Sequence, residues 1–525
     1  MKNIRFIYAF VVMALALWAC SNDYLDTTPN SATSYATIFE TTENAKLAVN
    51  GIARIMTSQH LSQQGFCGEG TIKYMFGEFP GENFTEPALT GWSSVFNFEF
   101  ATRNSIMYTY YPWFYYYMMI TNANEIIMNI DNAEGPQQEK DFIKAQALTF
   151  RAYAYTMLVQ LYCYRWVDSQ NGTLVSLNNG LIKRTEENIS EKDVPLSSSG
   201  EIYKLIYDDL GKAVELFTSS GLDRDKDDVW LPNIDVANAT WARAALSRND
   251  YQTAAEKAAL AMKNYPLMTN TEYQAGFFEP NQEWIFGSFG GAEENLYYYS
   301  YQAQVGYNAG SSRVRGYPSC ISRELYDKIP ESDIRKGMFL RPNSTDDYNK
   351  SNGEITNKEL ANEYKAKYQG ITSAHKLAAY NQFKVGVAGT PGIGYLNHFR
   401  SAEMLLIIAE SKYFLKDENG ARTALNQLTK ESGRDPDYNC SATGEALLKE
   451  IKTYRAIELF LEGFDWFDKK RWNEPITRKS FSEGGNFNSL MAVDRSVDYG
   501  NKWTYVTPLN EIQYNMALNG ESKEN

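Results

Sequence analysis

Apolar residues recur at three- and four-residue steps in several long stretches of the chain, which is the period of an amphipathic helix. The longest stretch begins at Pro136 and runs to Arg165. It predicts a helix about 40 Å long, because each helical residue adds ~1.5 Å. Residues 112–129 show the same period just before a turn that contains glycine and proline. These two segments predict a helix hairpin, and residues 42–57 predict an earlier amphipathic helix.

A second pair is predicted within "NATWARAALSRNDYQTAAEKAALAMKNYP", residues 238–266, with "NDY" as the turn between its halves. Ala254, Ala258 and Ala261 lie on one face of the second half, and Pro266 ends it. The arrangement resembles a tetratricopeptide (TPR) repeat, in which small residues let paired helices approach closely.

The third predicted pair lies within residues 396–433, and its second helix begins near Glu418 and ends at Gly433. A further helix is predicted from about Glu445 to Trp472. The pairs are irregularly spaced and separated by long insertions, so the pattern indicates stacked helix pairs and not a regular solenoid.

Between the helix pairs lie stretches rich in glycine, tyrosine and asparagine, residues 65–110 and 276–318. Long irregular segments of this kind are usually functional surface or disorder, and their aromatic content favours order. We expect short strands and ordered loops there. Residues 343–370 are polar and predict an exposed insertion.

The N-terminus predicts export. A basic start is followed by an apolar run from Phe6 to Trp18, which has the length of a secretory h-region and is too short to span a bilayer. Leu17-Trp18-Ala19-Cys20 resembles the lipobox of bacterial lipoproteins, in which the cysteine thiol receives lipid. We therefore expect a signal peptide over 1–19, lipidation at Cys20, and a flexible tether over 20–34. An ordinary signal peptide with a nearby cysteine is the alternative.

Composition restricts the kind of partner. The chain has 525 residues, a net charge of −13 and 14% aromatic residues. Nucleic-acid binding needs a surplus of basic residues, so we expect no nucleic-acid partner. The aromatic content is suited to a surface that stacks on a flat, neutral ligand such as a sugar ring. The cysteines after position 20 lack a CxxC spacing, which favours buried free thiols over disulfides and leaves a bridge open; they are Cys67, Cys163, Cys320 and Cys440.

Three segments together resemble the SusD/RagB family. "AQALTFRAYAYTMLVQLYCYRW" (145–166) is similar to its "A-x-A-x-F-x-R-A-x-x-Y" helix, and "HFRSAEMLLIIAES" (398–411) to its "R-x-A-E-x-L-L-x-x-A-E" helix. "TYRAIELFLEGFDWFDKKRW" (453–472) resembles its C-terminal "R-x-x-E-L-x-x-E-G-x-R-W-F-D-x-x-R-W" signature. The sequence departs from that signature at Asp465, where an arginine or histidine often precedes the tryptophan.

The resemblance implies a mostly α SusD-like fold, in which TPR-type helix pairs form a scaffold and an irregular, loop-rich half binds the ligand. It implies a single domain over 35–525, with an N-terminal part of about 35–270 and a C-terminal part of about 271–525. Its members are lipid-anchored, surface-exposed proteins of the outer membrane of Bacteroidetes-type bacteria. The implied partners are a glycan and a SusC-like TonB-dependent transporter.

The sequence does not predict an enzyme, a cofactor or a metal site. Its three histidines are far apart, and HExxH, P-loop, GxSxG and EF-hand motifs do not occur. Carboxylates do share one predicted helix at helical spacing, but basic residues are interleaved with them, which favours ion pairs over a glycosidase pair. The carboxylates are Glu458, Glu462, Asp465 and Asp468, and the basic residues are Arg455, Lys469 and Arg471.

The predicted ligand-binding residues are aromatics in the two loop-rich stretches. Trp92 stands between a glycine and two serines, and Tyr297, Tyr299 and Tyr301 would share one face of a strand. We expect at least half of these rings to pack within the protein and not against a ligand. A peptide-binding lid of the same architecture remains an alternative, favoured by an acidic groove without exposed aromatics. A lipoprotein hydrolase would be favoured by an isolated carboxylate pair in a cleft.

Overall fold

The computed structural model of the chain describes residues 37–61, 65–89, 91–291, 299–495 and 502–518. Within these ranges the fold is mostly α-helical, as predicted, with a few short strands. The α-helices in chain order are α1 (Thr42–Ile55), α2 (Gly68–Thr71), α3 (Ser93–Phe96), α4 (Met107–Asn129), α5 (Gln137–Tyr162), α6 (Ser199–Ser220), α7 (Ile234–Ser247), α8 (Tyr251–Ala261), α9 (Asn270–Tyr273), α10 (Tyr301–Val305), α11 (Ser312–Gly316), α12 (Arg323–Tyr326), α13 (Lys358–Lys367), α14 (Ser401–Phe414), α15 (Glu418–Asn426), α16 (Gly444–Glu458), α17 (Asp465–Trp472) and α18 (Leu509–Tyr514).

The long helices form one continuous stack, in which each helix packs on the next: α4 on α5, α5 on α6, α6 on α7 and α7 on α8. The stack then passes over the loop-rich insertion, because α8 packs against α14, which contacts α15 and α16. Helix α5 lies at the centre, and every residue from Ala145 to Val159 is buried. A helix buried on all sides needs apolar or paired residues on all its faces, which explains its dense aromatic and aliphatic sequence.

The predicted TPR-like pair is confirmed as α7 and α8. Asn249 has a φ of +63° in the turn, and the Asp250 side chain accepts the Thr253 backbone N–H to begin α8. Ala254, Ala258 and Ala261 are fully buried. Their small side chains let α8 lie between α7 and α14 at close range.

In the described parts of the chain the strands are short and occur as four antiparallel pairs, β1–β5, β2–β3, β4–β6 and β7–β8. Pair β4–β6 encloses most of the loop-rich insertion, and β6 leads directly into α14. The strands are β1 (Phe84–Thr85), β2 (Leu181–Ile182), β3 (Leu196–Ser197), β4 (Trp284–Ser288), β5 (Cys320–Ile321), β6 (Leu396–Arg400), β7 (Ile476–Arg478) and β8 (Val493–Arg495).

The predicted helix from Glu445 to Trp472 is wrong in one respect, since it is broken into α16 and α17. Leu461 and Gly463 have φ values of +61° and +87° in the turn between them. A Cβ at position 463 would lie 2.8 Å from the Cα of Lys73, so the close approach of another segment requires glycine there.

The four cysteines within the described residues are buried free thiols, which confirms the favoured interpretation. Burial raises the pKa of Cys67 and of Cys163 to about 12. Both are therefore neutral thiols that pack as small apolar side chains.

A buried cluster of charges lies at the turn between α16 and α17. It is centred on Arg400, the last residue of β6. Its guanidinium donates to Glu283 Oε1 (2.8 Å), Glu458 Oε1 (2.6 Å) and Glu462 Oε1 and Oε2 (2.7 and 2.8 Å). Arg400, Glu283 and Glu458 are at most 1% exposed. The contacts join β6, the start of β4 and the α16–α17 turn.

Three further cations complete this Arg400 cluster, and the first of them, Arg434, lies 3.7 Å from Glu283 Oε2 and 4.0 Å from Glu458 Oε2. Arg335 donates to Glu458 Oε2 (2.7 Å) and to Asp333, while Lys384 Nζ lies 2.5 Å from Glu462 Oε1. Burial alone would raise the pKa of Glu462, but Arg400 and Lys384 hold it at about 2. The Glu462 carboxylate is therefore ionised, and each buried carboxylate of the cluster lies beside a cation, as burial demands.

Arg400→Ala should destabilise the fold strongly, because three carboxylates would remain buried without their shared cation. We expect the free energy of unfolding to fall by about 3–5 kcal/mol. Arg341→Ala is the control, since Arg341 is 60% exposed and pairs with the exposed Glu331, and such pairs contribute at most ~1 kcal/mol. Chemical denaturation of both variants measures the difference, and equal losses would contradict the role given to Arg400.

Candidate functional site

Trp92 is half-buried and lies immediately before α3, in the loop-rich half of the molecule. Its ring meets Phe79 and Tyr108 edge-to-face, with centroids 6.1 and 6.3 Å away. The Arg313 guanidinium lies 5.3 Å from the Trp92 ring centroid. The indole is thus held by rings and a cation while part of it reaches solvent.

Two more half-buried rings extend this surface. Phe100 stacks on Tyr108 with centroids 4.9 Å apart and an interplanar angle of 24°. The guanidinium of the exposed Arg103 lies 5.5 Å from the Phe100 centroid. We call Trp92, Phe100 and Tyr108, together with Arg103, the aromatic patch.

A buried ion pair supports the patch from below. Arg313 Nη2 donates to Glu86 Oε1 and Oε2 at 2.9 and 2.6 Å, and Glu86 is fully buried. Burial raises the pKa of Glu86 to about 7 even though Arg313 opposes the shift. Because Arg313 also lies 5.5 Å from the Phe79 ring, the pair fixes the wall against which Trp92 rests.

The structure describes three of the four aromatic residues predicted to bind the ligand. Trp92 lies in the aromatic patch, and Tyr299 is half-buried in a turn before α10. Tyr297 lies outside the described residues, as does the predicted lipidation site Cys20.

The prediction that Tyr301 lies on the face of a strand is wrong. Ser300 accepts the Ala303 backbone N–H through its side chain, so Tyr301 begins helix α10. The ring is 5% exposed, and its hydroxyl donates to the carbonyl of Leu461. It therefore belongs to the core and offers no face to a ligand.

Sequence reasoning did not single out Phe100, Tyr108, Arg103 or Arg313. Phe100 and Tyr108 could have been found, since they belong to the same aromatic-rich segment as Trp92. Arg313 lies more than two hundred positions from Trp92, and only the fold brings them together.

The carboxylates of the C-terminal signature are structural. Asp468 accepts from Arg455 (2.6 Å) and Arg471 (2.9 Å), as predicted. Glu458 and Glu462 belong to the Arg400 cluster, so their cations come from distant segments.

Glu78 and the fourth signature carboxylate, Asp465, are among the carboxyl groups that line a cleft of about 500 Å³ between α16, α17 and residues 78–83. Asp465 accepts the backbone N–H groups of Glu82 and Asn83, both at 2.6 Å, and Glu78 accepts the N–H of Gly463 at 2.6 Å. Burial raises the pKa of Glu78 to about 8 and that of Asp465 to about 7. A neighbouring carboxyl group contributes to the rise of each pKa, Asp465 acting on Glu78 and Glu82 acting on Asp465. Both side chains are buried and hold turns in place, so they do not form an isolated pair open to substrate.

Within the described parts of the chain, no group of three or more His, Cys, Asp or Glu side chains is placed to hold a metal ion. No helix among these residues is long and apolar enough to cross a membrane.

Comparisons with known proteins match most of this chain and indicate one family. The family model described as "SusD family" matches residues 278–518, and the model described as "starch-binding associating with outer membrane" matches residues 23–246. SusD-like protein P2 of Formosa agariphila is 25% identical over 496 residues, which cover 88% of this chain and 89% of that protein. SusD-like protein P38 of the same organism is 23% identical over 90% of this chain and 92% of its own.

Solved structures show the same fold. The chain is similar to a SusD-like carbohydrate-binding protein from Bacteroides vulgatus, with a TM-score of 0.72 and 21% identity over 92% of this chain and 98% of that one. A SusD superfamily protein from Bacteroides thetaiotaomicron has a TM-score of 0.69 and 18% identity over 91% and 98% of the two chains.

The raised pKa of Glu78 predicts that its ionisation destabilises the fold. Because its pKa in the folded chain, about 8, exceeds its ordinary value of 4.5, the folded state retains a proton that the unfolded state releases between these pH values. The contribution of Glu78 to folding stability is fully present below pH 4.5 and is lost as the pH rises to 8. Glu78→Gln keeps the acceptor for Gly463 and cannot ionise, so relative to the wild type it should gain on the order of 1–3 kcal/mol between pH 5 and pH 8.

Unfolding measured at several pH values tests this prediction. Glu331→Gln is the control, because the exposed Glu331 carboxylate has a pKa lowered by Lys336, so its effect is constant above pH 5. A constant difference between Glu78→Gln and the wild type from pH 5 to 8 would contradict the assignment.

Proposed function

This chain belongs to the SusD family, and we propose that it captures a glycan at the cell surface and delivers it to a SusC-like TonB-dependent transporter in the outer membrane. The observation that carries the proposal is the aromatic patch. Sugar rings have apolar C–H faces and hydroxyl edges, and Trp92, Phe100 and Tyr108 supply partly exposed rings that can stack on such faces. Arg103 supplies guanidinium N–H donors beside them.

The patch is suited to binding because it is fixed before the ligand arrives. The buried Arg313–Glu86 pair and the ring of Phe79 hold Trp92 in place, so little side-chain freedom is lost when a sugar binds. The family description "starch-binding associating with outer membrane" supports this ligand class, as does the similar carbohydrate-binding protein of Bacteroides vulgatus. A peptide ligand is less well supported, because the patch presents aromatic rings and not an acidic groove.

We propose binding without catalysis. The buried carboxylates are held by cations or by backbone amides, as Asp468 and Asp465 illustrate. A glycosidase needs two carboxyl groups that flank a sugar in an open cleft.

We also propose that lipid attached to Cys20 holds the protein on the outer membrane. The tether over 20–34 would then separate the folded body from the membrane surface. The family description supports this location through its reference to the outer membrane.

Trp92→Ala should weaken glycan binding about tenfold to a hundredfold, the equivalent of ~1.5–3 kcal/mol for an aromatic contact. Affinity electrophoresis of residues 21–525 through gels containing individual polysaccharides gives the measurement. Trp241→Ala is a matched control, since Trp241 is also half-buried, with Tyr207 edge-on at 5.5 Å and Lys257 Nζ 4.2 Å from its ring, but lies on helix α7.

Both variants should melt a few degrees below the wild type, and only Trp92→Ala should lose retention. Equal retention by the two variants would remove the patch from the ligand site. Retention of peptides but of no glycan by the wild type would replace the glycan with a peptide ligand.

Cys20→Ala should abolish labelling by radioactive palmitate and release the protein from the outer-membrane fraction. The lipid-modified thiol is the proposed anchor, and several acyl chains are needed for stable attachment. Cys67→Ala is the control, because Cys67 is a buried thiol that should have no part in labelling. Labelling that persists in Cys20→Ala would contradict the anchor.

A further inference from the structure

A second cleft, of about 650 Å³, lies in the loop-rich half and is separate from the aromatic patch. Phe278, Tyr307 and Tyr368 are half-buried in its walls, and the amides of Gln274 and Gln369 are exposed at it. Its volume is within the range of ~300–1,000 Å³ that is usual for sites that bind small ligands. We call it the Tyr307 cleft.

The lining of the Tyr307 cleft is almost uncharged. Of the fifteen described residues that line it, only Lys367 is charged, and its ammonium donates to the carbonyl of Gly337 at 3.2 Å. In the 500 Å³ cleft beside α16 and α17, by contrast, eleven of twenty lining residues are charged. In a chain with a net charge of −13, this surface of few charges is complementary to an uncharged ligand that carries both apolar faces and hydrogen-bonding groups.

The walls of the cleft are joined to each other by hydrogen bonds. Asn308 accepts from Val387 N (2.9 Å) and donates to the carbonyl of Gln369 (3.4 Å), so three segments meet at one side chain. Gly370 has a φ of +82°, and a Cβ there would lie 2.9 Å from Asn308 Nδ2. The positive φ together with this close approach favours glycine at position 370, which lets the backbone lie against Asn308.

The rings in the walls are also fixed. Tyr368 stacks on Phe383 with centroids 3.9 Å apart, and its hydroxyl donates to the carbonyl of Gly337 at 2.8 Å. Tyr307 meets Tyr368 edge-to-face at 5.8 Å. A ligand that enters the cleft meets ordered aromatic surface beside two amides that can donate and accept hydrogen bonds.

We propose that the Tyr307 cleft is a second glycan-binding site, which takes an uncharged oligosaccharide segment. This inference rests on the proposed function, because it assumes that the chain binds glycans. Tyr307 and Arg313 are six residues apart, so their Cα atoms are at most about 20 Å apart. A polysaccharide chain that reaches both surfaces would bind more tightly than either contact alone allows.

The test uses the Trp92→Ala chain, in which the aromatic patch is disabled, and a panel of uncharged polysaccharides: a glucan, a mannan, a xylan and a galactan. We expect the wild type to retain at least one of them and Trp92→Ala to retain it more weakly. Adding Gln274→Ala and Gln369→Ala to Trp92→Ala should weaken the remaining binding about tenfold, since two hydrogen-bonding side chains are lost. The control adds Gln138→Ala and Gln252→Ala, two exposed glutamines on helices α5 and α8.

Each result decides between the proposals. Residual binding that falls with the cleft substitutions and not with the control pair supports the second site. Residual binding that both pairs leave unchanged overturns the cleft while the proposed function stands, as does complete loss of binding in Trp92→Ala alone. Failure of the wild type to retain any polysaccharide of this panel overturns the second site, and failure to retain any glycan, charged ones included, in the electrophoresis described for Trp92→Ala overturns the proposed function as well.

Discussion

The Arg400 cluster is the constraint on which the rest of the structure depends. Its members come from segments far apart in sequence, so the buried charges are satisfied only when β4, β6 and the α16–α17 turn meet at once. An ionised carboxylate without its cation in that place costs several kcal/mol, which penalises any arrangement in which one segment is displaced. The cluster therefore specifies how the loop-rich insertion lies against the helix stack, while the apolar contacts of helices such as α5 supply most of the favourable free energy.

Side chains of the second and third family motifs are bonded to one another. Arg400 of the second motif binds Glu458 and Glu462 of the third, and Glu410 of the second accepts from Arg471 and from the Trp472 indole N–H of the third. These contacts between the two motifs hold the scaffold together. The aromatic patch is linked to this scaffold by rings, since Phe79, which supports Trp92, stacks on Phe84, and Phe84 contacts Phe460. Phe460 in turn accepts from Lys384 through its carbonyl.

Features that depend on local sequence could be predicted, and features that depend on contacts between distant segments could not. The helices of the TPR-like pair follow from periodicity and from the Asp250 cap, which are local properties. The break at Gly463 exists because Lys73 approaches it, and nothing near Gly463 in sequence signals that approach except the glycine itself. Alternating tyrosines suggested a strand, but the neighbouring Ser300 is a helix cap that could have been recognised. In the patch, Trp92 was predictable as an isolated aromatic in a loop, whereas Arg313 was not.

The distribution of charge separates the surfaces that hold the fold from those suited to a neutral ligand. Many of the cations of this acidic chain are used inside the protein, where Arg400 and Arg335 neutralise buried carboxylates. Arg313 is hydrogen-bonded to the buried Glu86, and its guanidinium also lies over the ring of Trp92. Lys367, the one charged residue among those that line the Tyr307 cleft, also has a partner, since it donates to the carbonyl of Gly337. Few charged groups lie at either surface, Arg103 at the aromatic patch and Lys367 at the Tyr307 cleft, so we expect recognition to come mainly from ring contacts and hydrogen bonds, which are the interactions that an uncharged sugar offers.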